Sequence, residues 1–159
     1  MKNLIRAVLT LAFGWSALKG LELLLRSNSM DLLLLNGVGM GWLFYLLIPA
    51  LAVCQVVSLV WFWHPFFRGH FVAIAAILLS LVHTLVVCLV AVGNTELAKQ
   101  SFAASREERG LPVHQEMLQL MINPIAQLIP VAIAGALAIL WFVLIMKLNN
   151  LQQREPIST

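Results

Sequence analysis

The chain has 159 residues, of which 61% are hydrophobic and only 11% charged, with a mean hydropathy of +0.92. A soluble domain carries roughly 25% charged residues, so this composition excludes a cytosolic enzyme, a secreted disulfide scaffold and a disordered or collagen-like chain. The net charge of +3 is too small for a nucleic-acid footprint. The partners expected are the lipid bilayer and, within it, a second copy of the chain or another membrane protein.

A spanning helix needs about 20 mostly apolar residues. Four stretches qualify, at 4–25, 41–63, 70–92 and 125–146. They predict an all-α integral membrane protein in which residues 1–159 form a single membrane domain. Its core is a bundle of four transmembrane helices, with a short helical extracytoplasmic segment at 94–123 between the third and fourth spans.

The first span follows Lys2 and Arg6. Those two with the apolar run 7–13 have the look of a signal peptide, but the pattern continues to Leu25, long enough to span. Ala12, Ser16 and Gly20 recur every four residues, the small-residue spacing that lets another helix approach closely. They form the candidate helix-packing face. Lys19 and Glu22 lie on one stripe, three residues apart, and Arg26 continues it one turn on. Ionisable residues inside a span are functional candidates by default. The plainer reading has Lys19 snorkelling to the headgroups while Glu22 neutralises it.

Residues 31–40 are also apolar, but one helix from 31 to 63 would reach about 48 Å. Gly37, Gly39 and Gly41 are expected to break it and leave Leu32 to Leu35 at the membrane interface. The spacing of those glycines follows no strand and lacks the last step of a dinucleotide-binding fingerprint. In the second span Trp42 and Trp61 are 19 steps apart, or about 28 Å, which suits aromatic belts at two interfaces. Gln55 is its candidate polar residue.

The turn to the third span holds His64, Arg68 and His70 beside Trp61, Trp63, Phe66 and Phe67. Two histidines supply half of the usual four zinc ligands, so a headgroup-level role is expected for both. In the third span His83 falls near the bilayer midplane, with Ser80 and Thr84 close by. His70 and His83 cannot face one haem together, because 13 steps of a helix leave them about 140° apart. No cofactor is expected. Cys54 and Cys88 fall at heights that differ by roughly 15 Å, beyond the reach of a disulfide. The chain has no G-x-S-x-G and no H-E-x-x-H, and Asp31 is its sole aspartate. No carboxylate dyad is therefore available within the spans, and no catalytic role is expected.

The polar segment 94–123 predicts two short helices. Thr95 is the expected cap of the first, and Gly110 with Pro112 the stop. In the second, Val113, Met117, Leu118 and Met121 recur at three- and four-residue spacing. This stripe would lie on the bilayer, cover the bundle or meet a partner. The fourth span opens at Asn123-Pro124, carries Gln127 and has Pro130 within it, where a kink is expected.

Five positives, Lys2, Arg6, Arg68, Lys147 and Arg154, stand against Arg26, Lys99, Arg106 and Arg109 on the other side. The positive-inside rule then puts both termini in the cytoplasm. Short connections and the lack of any N-x-[ST] sequence fit a bacterial inner membrane. The expected function is a non-catalytic interaction or assembly component of the membrane. The alternative is a small transporter or carrier subunit with a polar pathway lined by Lys19, Glu22 and His83, with Gln55 and Gln127 as further candidates. Convergence of those five side chains in one cavity would favour transport. Their depths along the helices predict scatter instead.

Overall fold

A computed structural model describes residues 1–26, 28–66 and 68–153, without the side chains of Met117 and Pro124. Phe67, Arg154 and the side chain of Met117 in the outer stripe lie outside the described residues. Seven helices follow in order: α1 (Lys2–Leu25), α2 (Met30–Gly37), α3 (Gly41–Trp63), α4 (Gly69–Gly93), α5 (Thr95–Glu108), α6 (Gln115–Met121) and α7 (Pro124–Gln153). Four of them, α1, α3, α4 and α7, are long and apolar enough to cross a membrane. The protein is an all-helical bundle of four spans. By chain order, the start of α1, the end of α7 and the α3–α4 connection lie at one end and α2, α5 and α6 at the other.

The spans pack α1 on α3, α3 on α4, α4 on α7, and α7 back on α1. Lipid tails are as apolar as leucine, so this association rests on close packing. At the terminal end Phe13 meets Phe62 edge-on at 5.2 Å, and Leu9, Trp61, Phe62, Ile145 and Leu148 are fully buried. Gly69 is the seat of Trp61, since a Cβ there would fall on the indole ring. Gly20 of the small-residue face is buried, with a virtual Cβ 3.9 Å from Ile48 Cγ2. Ser16 also faces α3, where Gln55 donates to its hydroxyl, and Ala12 is partly buried against the core of the bundle.

At the other end α2 corrects the sequence reading. Leu32, Leu34 and Leu35 are not laid against lipid as an exposed strip; they are buried at 3%, 0% and 0% exposure, packed on α3, α4 and α5. Ser29 starts the helix, its hydroxyl accepting from the Leu32 N–H at 3.4 Å. The glycines break the chain as expected. Gly39 has φ +75, a conformation that favours glycine, and a Cβ at Gly41 would fall on the Asn36 side chain.

The outer segment folds into α5 and α6, but Thr95 does not cap α5. Its hydroxyl donates back to the Val92 carbonyl at 3.4 Å and Asn94 donates to Val90 at 3.1 Å, so both close the end of α4. Gly110, at φ +65, stops α5. Of the stripe, Leu118 on α6 is buried with Leu34, Ala91, Ala98 and Ile122, Val113 just before α6 packs against them, and Met121 is 51% exposed. Asn123 accepts from the Ala126 N–H at 2.7 Å and so starts α7. That helix runs through Pro130 and on to Gln153, seven residues past the expected end.

Candidate functional site

The charged stripe on α1 resolves within its own helix. Glu22 receives Lys19 Nζ at 2.7 Å and Arg26 Nη2 at 2.7 Å, with side chains 38–54% exposed on the acid and lysine and 37% on Arg26. Lys19 also lies over the Trp15 ring at 5.4 Å. Arg26 shares a groove with Glu108, Arg109 and Leu111. This is an exposed patch near the end of α1 in which two cations share one carboxylate, and it lines neither of the two cavities described below.

His83 pairs with a residue that sequence reasoning set aside. Its Nε2 lies 3.5 Å from Asp31 Oδ2, with side chains 13% and 24% exposed. No hydrogen bond reaches that nitrogen among the described residues, so the carboxylate is its nearest partner. The pair exists because α2 returns into the bundle. Its buried leucines seat Asp31 in the first turn, where the helix N-terminus favours a negative charge. Burial pushes the Asp31 carboxyl above its ordinary range, and the charge of His83 opposes that shift.

Asp31 and His83 line a cavity of about 540 Å³ between α2, α4, α5, α6 and α7, together with Thr84, Cys88, Met121 and Gln127. Its polar groups are mainly acceptors. Gln127 uses its amide N–H on the Met121 carbonyl at 3.2 Å, which leaves the amide oxygen to accept. Thr84 donates to Ser80 at 2.9 Å and keeps its lone pairs. Pro130 has no N–H, so it cannot serve the carbonyl of Ala126 one turn back, and both residues line the cavity.

Gln55 belongs elsewhere. It lines a second cavity of about 340 Å³ between all four spans and donates to Ser16 Oγ at 2.6 Å. The five polar candidates therefore fall in three places: Lys19 and Glu22 on the surface, Gln55 in one cavity, His83 and Gln127 in another. The expected scatter fails for His83 and Gln127. The missed residue, Asp31, did carry a signal, being the sole aspartate and followed directly by four leucines.

Both cysteines are free. His70 stacks on Phe71 at 4.1 Å and faces Trp61 at 6.2 Å. Among the described residues no three His, Cys, Asp or Glu side chains gather closely enough to hold a metal ion. Compared with protein-family models, with curated proteins and with solved structures, the chain finds no match in any of the three.

Proposed function

We propose that the protein is a small carrier-type membrane protein that binds a small cationic solute in the cavity at Asp31, His83 and Gln127, in exchange for a proton. The Asp31–His83 pair at 3.5 Å carries this reading. Ionisable residues at membrane depth mark solute and proton pathways, and here they face a mostly apolar chamber in which the Thr84 hydroxyl and the Gln127 amide are further polar groups. When the pair holds its proton, its charges are balanced internally. When a cation enters, the carboxylate has a partner and the proton can leave. Lys19, Glu22 and Gln55 take no part in this site.

We orient the chain with both termini in the cytoplasm of a bacterial inner membrane, on the balance of Lys2, Arg6, Arg68, Lys147 and Arg154 against four opposite positives. The cavity then opens in the outer half of the bilayer.

The test is proton release from purified protein, in weakly buffered detergent, on adding ethylammonium chloride. We expect saturable release that Asp31→Asn abolishes. Absence of release, or equal release from Asp31→Asn, would overturn the reading. A second reading, a non-catalytic interaction or assembly component, draws on one observation: only 6% of the apolar window of α7 is buried, against 17–33% for the other spans. In that case α7 would meet a membrane partner, and the protein would migrate with companion proteins in native mass spectrometry.

A further inference from the structure

The second cavity carries a separate feature. Gln55 is 4% exposed, and its Oε1 has no hydrogen-bond partner among the described residues. A buried polar atom left unpaired calls for an explanation, all the more inside a bilayer, where water does not compensate it. One of the two amide N–H bonds donates to Ser16 Oγ at 2.6 Å. The amide oxygen remains unpaired, beside a cavity whose other polar lining residues are Ser16 and Ser80 and whose lining is otherwise mostly apolar or aromatic, including Phe13, Ala76, Ala138 and Trp141. Two further lining residues, Trp15 and Leu137, are 66% and 43% exposed. They sit on α1 and α7, so the cavity opens sideways between those helices into the hydrocarbon layer.

We propose that this cavity binds a hydrophobic molecule taken from the lipid phase, one bearing a single hydrogen-bond donor, a hydroxyl or N–H, that donates to Gln55 Oε1. A lining of hydrophobic and aromatic groups with one or two placed polar atoms is the usual make-up of a small-molecule site, and about 340 Å³ lies within the usual range of volumes. The lateral opening selects for ligands that partition into the bilayer. The unpaired amide oxygen selects among them for a donor. Asp31 and His83 do not line this cavity, so the site stands whether or not the pair exchanges protons for a cation.

Trp15 and Trp141 make the site readable, because bromine quenches nearby indole fluorescence. The full chain in liposomes is titrated with bromohexanol and, at matched membrane concentration, with bromohexane. The expected result is saturable quenching by the alcohol at about a tenfold lower concentration, the equivalent of one hydrogen bond. Gln55→Leu should bring the two probes together. Ser16→Ala keeps the amide oxygen and should retain the preference, whereas Ala134→Leu fills the cavity and should remove saturable quenching by both. Equal quenching of the wild-type protein by the two probes overturns the proposal. So does a preference that survives Gln55→Leu, or one lost as fully in Ser16→Ala. If Gln55→Leu does not reconstitute, the wild-type comparison and the other two variants decide.

Discussion

Two acid–base groupings lie in this molecule, and they differ in what holds them. Lys19, Glu22 and Arg26 sit on one helix at three- and four-residue spacing and pair at 2.7 Å while substantially exposed. Asp31 and His83 come from separate helices, stand 3.5 Å apart and are mostly buried. A local pair on an exposed helix face needs nothing from the rest of the fold and contributes little to it. A pair assembled between elements depends on every contact that seats them, and either partner left alone inside the bundle is costly. Charges set inside an apolar span thus point to α1, while the buried acid–histidine pair is assembled between α2 and α4.

Four measurements would break or sharpen this contrast, all in mixed micelles with unfolding by a denaturing detergent. The largest effect is expected from His83→Leu, which leaves the Asp31 carboxyl without its partner and should cost about 2–3 kcal/mol. A loss no greater than that of a surface variant would remove the distinction between the two groupings. Gly20→Leu follows. It forces side-chain volume against Ile48 in the α1–α3 seam and should cost about 1–3 kcal/mol, with no change in the mass of the detergent-solubilised particle. A smaller particle with unchanged stability would instead put the Ala12–Ser16–Gly20 face between copies.

The third is a pH series on the wild type and Asp31→Asn. The folded-state carboxyl is raised by burial, so the stability contributed by its protonated form is complete below the ordinary aspartate range. It is lost as pH rises through the folded value. The wild type should therefore lose stability relative to Asp31→Asn as pH rises from acid toward neutral, and a flat difference would contradict burial of this group. The smallest effect is expected from Glu22→Gln, with no measurable change in the midpoint at either low or high salt. A clear loss that salt diminishes would show that the α1 stripe supports the fold after all.

The four spans were legible because span length and hydropathy are properties of consecutive residues. The second span, bracketed by Trp42 and Trp63, begins and ends where expected. The glycine break before it was also readable, since Gly39 adopts a backbone that other residues avoid. The end of α7 was less so. Lys147, Asn149 and Asn150 lower hydropathy without ending a helix, and Leu148 is fully buried among the other spans.

The sites divide in the same way. Residues within one helix turn of each other have a relative direction set by helix geometry, which is why the Lys19–Glu22 pair could be read from spacing alone. The proximity of Asp31 to His83 has no such rule. It arises because Leu32, Leu34 and Leu35 bury themselves on α3, α4 and α5, and an apolar run of eight residues reads equally well as a segment lying on the membrane surface. The same holds for Gln55, whose unpaired oxygen depends on where Ser16 of another helix stands. Sequence alone determined the solvent, the number of spans and the local charge pairs, because each depends on neighbouring residues and helix periodicity. Only the tertiary structure decided which polar groups share a cavity, because that depends on how separate helices pack.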